Sequence, residues 1–472
     1  MEKTNINFYL NGVYKSIVAS PVERVIDVLR EDEGLLGTKE GCSDGDCGAC
    51  TILIGKFEGN EVHYISVNSC LVQAATLNKA SVVTIEGLSE GNKLNIIQEA
   101  MMLNHGSQCG FCTPGVVMSF LGLFASNKNP TEKEIELALE GNICRCTGYE
   151  GIKNSGTSVK EFLKEQDDSF DIMPQNIRKV EKLLDKIEDK WNSEEYLIPS
   201  SLEDLKNLIE NNHEAIFSTG HTDLGVREHH LGVSFDKIID LSHISQIKEI
   251  NETEEGLLIG ANIPLERILE NKLVCSKLPV FKEMLSEMAS QQVRNIASIG
   301  GNICNASPIG DCVVLLMALD ASVVLFSSKG QRVIKLRDFY ISYKNMNKED
   351  DEAVIAVIIP KENYSKNLSF IKTGKRNAVD IASVNSASRM DIKDRMVTNW
   401  EIAFGGISGT VIYRKIKDVS VDTPLEDIED IGEELSQQFE PLSDVRGSSD
   451  FRTLLIQGHL VKHFIKQTGL EV

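Results

Sequence analysis

The chain opens with an alternation. Apolar residues recur at nearly every second position through 4–10 and again through 13–18, on either side of Asn11-Gly12. A period of two around an Asn-Gly turn predicts a β-hairpin. Ser20, Pro21 and Glu23 then read as a helix start, with N-cap, first helical residue and capping-box acid in order. Val22, Val25, Ile26 and Leu29 would be its buried face. Further strands are predicted at 51–54, 62–67 and 82–85. Two hairpins and one helix make a small α+β unit of about eighty residues.

From Leu94 the apolar period becomes helical. Pro114 opens a segment, 115–125, that is apolar on nearly all sides and therefore predicted to be buried. Thr131 and Glu134 form a second capping box before a helix that ends at Gly141. Residues 165–194 read as a linker, charged at both ends, with Ile177, Val180, Leu184 and Ile187 as one amphipathic helical segment inside it. A new domain begins near Tyr196. Ser201, Leu202, Leu205, Leu208 and Ile209 predict a helix, and 215–218 and 353–359 predict buried strands. From about Ser369 strands and helices mix.

Length and charge narrow the class. A chain of 472 residues is too long for one core and implies about three domains. Hydrophobic content of 42% and charged content of 25% are those of a soluble protein. A net charge of −21 argues against nucleic acid or an anionic membrane as partner. The first twelve residues have no signal-peptide core, and no apolar run reaches membrane-spanning length. The expected compartment is the cytoplasm.

The cysteines carry the chemistry. Eight of eleven lie before residue 150, which reads as metal binding rather than a disulfide framework. Cys275, Cys304 and Cys312 are expected to be small buried apolar groups. Cys42, Cys47 and Cys50 are spaced C-x4-C-x2-C, and Cys70 follows after a hairpin-length gap. That is the plant-type pattern for a [2Fe–2S] cluster. Gly41, Gly45 and Gly48 allow tight turns that aim N–H groups at sulfur. No Lys or Arg lies between Cys42 and Cys50, so the backbone must offset the thiolate charge. Cys109-x2-Cys112 and Cys144-x-Cys146 sit at two helix junctions and would form a second four-thiolate set. Zinc is the rival metal at both sets, although x4 followed by x2, and C-x-C, fit a structural zinc knuckle poorly.

The runs GCSDGDCGAC, GSQCGFCTPG and GNICRCTGY resemble the two-cluster N-terminal half of the xanthine dehydrogenase family, with all eight cysteines matching. The resemblance implies that Gln108 lies against the molybdopterin of a neighbouring domain. Two later loops carry glycines among hydroxyl and amide side chains: Thr219–Gly225, and Arg294 through Asp311. Such loops suit a pyrophosphate and ribityl chain, although each alone could be a structural turn. No G-x-G-x-x-G follows a strand, so a Rossmann fold is not supported. Both loops resemble the flavin-binding domain of the xanthine and carbon monoxide dehydrogenase families. By that resemblance Ile216, Phe217, Ser218, Thr219, Gly220, His221, Thr222 and Asp223 take one side of FAD. Ser298, Gly301, Asn302, Asn305 and Asp311 take the other, and Lys372 lies near the isoalloxazine ring.

The implied architecture is α+β and multidomain. It comprises a β-grasp ferredoxin-like domain (1–86), a helical cluster domain (87–164), the linker (165–194), an α+β FAD-binding domain (195–366) and a C-terminal α+β domain (367–472). The implied function is that of the small, electron-transfer subunit of a two-chain xanthine dehydrogenase. Electrons would come from molybdopterin on a large partner subunit, pass two [2Fe–2S] clusters and FAD, and leave on NAD, in a heterotetramer of two small and two large chains. Another molybdenum hydroxylase, acting on an aldehyde, nicotinate or related heterocycle, is one alternative; a free redox carrier or sensor is the other. The chain departs from many relatives at Met288, where they have an aromatic residue, and at Val379, where several have an acid.

Overall fold

A computed structural model describes residues 1–89, 91, 93–167, 169–188, 191–364, 367–416 and 419–470. Asp168 and Lys190, in the charged runs of the expected linker, and Val472, at the end of the expected last domain, lie outside them. Two compact units emerge: Met1–Leu197 with His221–Ile238 and Ser290–Ile296, and Ile198–Gly220 with Ile239–Ala289 and Ala297–Val472. Among the described residues no helix is long and apolar enough to cross a membrane.

In the first unit the alternation folds as it reads. β1 (Thr4–Leu10) and β2 (Val13–Ala19) pair antiparallel, and Asn11 and Gly12 take φ of 51° and 81° at the turn. Positive φ at both positions is what a tight two-residue hairpin requires. The first helix departs from expectation. α1 spans only Val25–Asp27 and continues as a π-helical turn, Val28–Asp32. Glu23 does accept the Ser20 N–H, at 3.3 Å. Residues 21–25, however, commit their backbone to 72–75. Val25 N–H donates to Val72 O at 2.8 Å, Ala74 N–H to Glu23 O at 2.7 Å and Ala75 N–H to Pro21 O at 2.9 Å. Pairing across the fold overrides local helix propensity there.

β3 (Thr51–Glu58) and β4 (Glu61–Asn68) form the second hairpin. β5 (Ser81–Val83) ends before the predicted Ile85, which begins a 3-10 turn. It runs parallel to β1 and antiparallel to β3, giving the order β2-β1-β5-β3-β4. Ile6, Phe8, Ile52 and Val82 are fully buried beneath this β-grasp sheet.

The helical part follows as α2 (Ile96–Leu103), α3 (Thr113–Ser126), α4 (Glu132–Leu139) and α5 (Glu150–Lys164). Thr131 and Glu134 close both halves of their capping box. α3 is buried from Gly115 through Leu121 and again at Phe124, as its all-round apolar pattern predicts. α5 buries one stripe at helical spacing, Ile152, Ser155, Gly156, Val159 and Leu163. A Cβ on Gly156 would come within 2.7 Å of the Ile135 side chain, so the small residue permits close helix packing. The expected amphipathic segment is α6 (Gln175–Glu181) plus a 3-10 turn, and Ile177, Val180, Leu184 and Ile187 are all buried.

In the second unit Ser201 caps a helix, Leu202–Asn211, accepting the Asp204 N–H at 3.1 Å. An antiparallel sheet has strand Ala353–Pro360 at its centre, between Ser322–Ser327 and Gly256–Gly260. The helix Asp311–Ala318 is buried on every side against the same core. Of the late cysteines only Cys312 is buried; Cys275 and Cys304 are half-buried, because each lies on a helix with one face toward solvent. The C-terminal part is a four-stranded meander from Leu368 to Ile416, covered by the helices Leu425–Ser436 and Ser449–Thr468. Trp400, Phe404 and Phe464 fill its core.

His459 and His463 lie inside that core and, among the described residues, hydrogen-bond to hydroxyls. His459 meets Thr373 and Ser386 at 2.8 Å each, and His463 meets Ser369 at 2.5 Å and Ser386 at 2.8 Å. Burial pushes His459 down to about 3 and holds His463 well below its ordinary range. Both are neutral in the fold, whereas the unfolded chain binds their protons below about 6.5. Their contribution is complete above that pH and is lost as pH falls toward the folded value. Urea unfolding from pH 8 to 5 should show stability falling below pH 6.5 by about 1 kcal/mol per pH unit for each histidine. A His459→Asn/His463→Asn variant should flatten that slope; an unchanged slope would place the acid sensitivity elsewhere.

Candidate functional site

The first cysteine set occupies the loop that leads into β3, with Cys70 just after β4. Cys50 and Cys70 are buried and their sulfurs lie 3.4 Å apart. Cys47 N–H donates to Cys42 Sγ at 3.3 Å. The backbone supplies the compensation that the missing cations do not. Amides of Asp44 and Cys47 point at Cys42, that of Ala49 at Cys47 and that of Gly45 at Cys70. Cys47 is pushed down to about 6, chiefly by its hydrogen bond with Cys42. Cys50 is likewise lowered, chiefly by its bond with Cys70, while the same two bonds push Cys42 and Cys70 up. Thiolate is the form that ligates metal.

The second set forms where the α2–α3 junction meets the turn before α5. Cys112 and Cys144 are buried and in contact, while Cys109 and Cys146 are exposed and in contact. Burial pushes Cys112 up to about 12, with Cys144 adding to it. The turn at Cys144 is held by Tyr149, whose hydroxyl accepts the Cys144 N–H at 2.9 Å and donates to Asn142 O at 3.3 Å.

Both sets are therefore two pairs. Among the described residues no three His, Cys, Asp or Glu side chains converge on one ion position. A structural zinc site needs four ligands about one point, whereas two sulfide-bridged irons take two cysteines each. Tetrahedral sulfurs on one metal lie roughly 3.8 Å apart for bonds of about 2.3 Å. The 3.4 Å between Cys50 and Cys70 fits one such pair.

The flavin residues are divided. Ile216–Gly220 and Ser298, Gly301, Asn302, Asn305, Asp311 and Lys372 belong to the second unit, but His221, Thr222 and Asp223 belong to the first. The second stretch is not an open loop: Ser298 caps a helix, Ile299–Asn305, that contains Gly301, Asn302 and Asn305. Thr219 Oγ1 lies 2.6 Å from Ser298 Oγ, which accepts the Gly301 N–H at 3.0 Å. A Cβ on Gly301 would sit 3.1 Å from Ser298 Oγ and 3.3 Å from Thr219 Oγ1, so a side chain there would press on the two hydroxyls and narrow the open gap they edge. Asn302 Oδ1 is buried with no hydrogen-bond partner among the described residues. An open gap edged by hydroxyls and an orphaned amide oxygen fit a polar cofactor. Asn305 is instead tied to Lys344, which donates to its backbone and side-chain oxygens.

Lys372 and Asp311 form a buried ion pair at 2.8 Å, and Lys372 also donates to Glu287 O at 2.9 Å. Asn385 completes the group, donating to Asp311 Oδ1 at 2.5 Å and Ile309 O at 3.0 Å. His221 stands at φ 57° and pairs with Glu228 at 2.7 Å.

Four described families cover the chain in order. Residues 8–75 match the 2Fe-2S iron-sulfur cluster binding domain and 84–156 the [2Fe-2S] binding domain. Residues 190–362 match the FAD binding domain in molybdopterin dehydrogenase, and 369–467 the CO dehydrogenase flavoprotein C-terminal domain. The xanthine dehydrogenase/oxidase of Rattus norvegicus is 31% identical over 465 residues, covering 87% of this chain and 35% of that protein. The chain belongs to the xanthine dehydrogenase family.

The xanthine dehydrogenase of Calliphora vicina, 31% identical over 86% of this chain and 34% of its own length, and xanthine dehydrogenase 1 of Arabidopsis thaliana, 30% over 86% and 35%, are similar. The chain spans about a third of the length of these curated relatives. Quinoline 2-oxidoreductase from Pseudomonas putida 86 shares the fold over 59% of this chain and 98% of its own, with a TM-score of 0.55 at 22% identity. A Cu,Mo-containing CO dehydrogenase does so over 58% and 97%, with a TM-score of 0.53 at 22% identity.

Met288 and Val379 have distinct settings. Met288 Sδ lies 3.6 Å from Cys312 Sγ and packs on the core. Val379 is buried at φ 50°, a conformation that costs a β-branched residue about 1–3 kcal/mol. The loop around it is held by Asp380, which accepts the N–H groups of Lys375 at 2.5 Å and Arg376 at 3.0 Å. Asn385 was missed from the sequence, since an isolated Asn in a strand pattern has no spacing signal. Lys372→Met should leave Asp311 buried without its cation and cost roughly 3–5 kcal/mol in urea unfolding. Lys372→Met/Asp311→Asn should recover part of that loss; no recovery would mean the lysine acts by packing alone.

Proposed function

We propose that this chain is the electron-transfer subunit of a xanthine dehydrogenase. One [2Fe–2S] cluster is held by Cys42, Cys47, Cys50 and Cys70, and a second by Cys109, Cys112, Cys144 and Cys146. FAD is bound by Ile216–Asp223 with Ser298, Gly301, Asn302, Asn305, Asp311 and Lys372. The domains are those expected at 1–86, 87–164, 195–366 and 367–472, with 165–194 between the second and third. Iron–sulfur groups carry single electrons and a flavin stores two, so the set converts one to the other. The observation that carries this reading is the two-by-two arrangement of eight cysteines.

Substrate oxidation is assigned to molybdopterin on a large partner subunit, with hypoxanthine or xanthine as substrate. Relatives named for xanthine favour that choice over an aldehyde or another heterocycle. Gln108, Cys109, Phe111, Ile143 and Cys146 are exposed around the second set, and Phe111 and Ile143 leave 47% and 43% of their surface open. Exposed apolar groups beside metal ligands suit a protein partner. The proposed assembly is a cytoplasmic heterotetramer of two small and two large chains, with NAD as electron acceptor.

Metal analysis should find about four irons and matching sulfide per chain, two for each cluster, with two distinct reduced-state EPR signals. Cys47→Ser should remove one signal and Cys144→Ser the other. Stoichiometric zinc without sulfide would sink the assignment. Steady-state assays with the partner present should favour NAD over oxygen, ferredoxin or a quinone analogue; fast turnover with another acceptor and negligible NAD reduction would replace NAD.

A further inference from the structure

Three polar side chains outside both ligand sets join the two cysteine loops. Asn142, Ser119 and Gln292 are 2%, 3% and 1% exposed. Asn142 Nδ2 donates to Gly48 O at 3.0 Å. Ser119 Oγ donates to Asn142 Oδ1 at 2.7 Å. Gln292 Nε2 donates to Ser119 Oγ at 2.9 Å and to Asn142 Oδ1 at 3.3 Å. The backbone adds a parallel tie, since Ile143 N–H donates to Cys47 O at 2.9 Å. Gly48 and Cys47 are thus bonded directly to Asn142 and Ile143, the two residues before Cys144.

Sterics make the same contact tight. A Cβ on Gly48, which has φ 65°, would fall 2.1 Å from Gly141 O, and one on Gly115 would fall 2.2 Å from Gly48 O. The amide of Asn142 can face only one way, because its nitrogen meets a carbonyl and its oxygen meets two donors. Burying three polar side chains is costly, and apolar residues of similar size would hold two loops together at no such cost. Gln292 Oε1 even lacks a hydrogen-bond partner among the described residues. What directional bonds supply and apolar packing does not is a fixed separation and orientation.

We propose that Asn142, Ser119 and Gln292 are positioning residues that set the separation of the two [2Fe–2S] clusters, and with it the strength of their coupling. This rests on the cluster assignment above. Magnetic coupling between two reduced clusters falls with the cube of their separation, so it reads the geometry directly, whereas a merely stabilising role would leave it unmoved.

The test is low-temperature EPR of the fully reduced holoprotein, with iron and sulfide measured on the same samples. The wild-type signals should be split by mutual coupling. Gln292→Met, close in size but unable to donate, and Ser119→Ala should retain full iron and sulfide while the splitting collapses or broadens. Asn142→Ala, which removes the bond to Gly48 itself, should do so most. Wild-type splitting in all three variants at full iron content overturns the proposal, as does a wild-type protein with two clusters and no splitting. Loss of iron from all three overturns it too, since the group would then serve folding. Zinc without sulfide in the wild type would instead sink the cluster assignment itself.

Discussion

The first unit depends on one close approach. The backbone after Cys47 runs against the backbone at Gly141 and against α3 at Gly115, with no side chain between. Everything about the cysteine loops follows from that contact. It forces glycine at position 48, it lets Ile143 N–H reach Cys47 O, and it leaves the sulfurs to face backbone amides rather than cations. A chain with a net charge of −21 can hold the first cysteine set this way because partial charges from N–H dipoles do what lysines would otherwise do. The same contact explains why α3 is apolar all round: it serves as a wall for the sheet, the loop and the neighbouring helices at once.

The second unit solves a related problem with side chains. Lys372, Asp311 and Asn385 form a buried polar group in which each strong donor or acceptor has a partner except Asn385 Oδ1. That oxygen lies against Gly405, where a Cβ would come within 2.2 Å of it. Beside this group, on the same strand as Lys372, Thr373 begins the hydroxyl–imidazole network of His459 and His463. Such networks are expensive when incomplete, so they fix one arrangement of the strands around them. Thr219, Ser298 and Asn302 differ in kind, because the gap at Gly301 and the unpartnered Asn302 oxygen leave capacity for a ligand.

How much was legible depends on where each signal lives. The Asn11-Gly12 hairpin, the Thr131 capping box and the apolar α3 are local, and each formed where the pattern placed it. Ser20–Glu23 is equally local, yet its helix starts late because residues 72–75 compete for the same backbone groups. α5 was not expected, although Ile152, Val159 and Leu163 stand at helical spacing; Ser155 and Gly156 interrupt the apolar stripe between them. Cys109, Cys112, Cys144 and Cys146 were recognisable as a group from spacing, but not which pairs with which. The two stretches around Gly220 and Gly301 were legible as glycine-rich segments, while the helix that carries Gly301, Asn302 and Asn305 was not.

By itself the amino-acid sequence determined the chemistry on offer: eight thiols in two spaced sets, two glycine-rich stretches, and enough apolar surface for several cores. Ligand type and local turn geometry are properties of adjacent residues, so neighbours along the chain suffice to state them. Tertiary structure alone decided the pairing of Cys112 with Cys144 and of Cys109 with Cys146, and the meeting of Gln292 with Ser119 and Asn142. Those partners lie up to 173 positions apart, and no periodicity links residues at such range. What brings them together is burial: a polar side chain taken out of water must find its partner wherever the packed chain puts one.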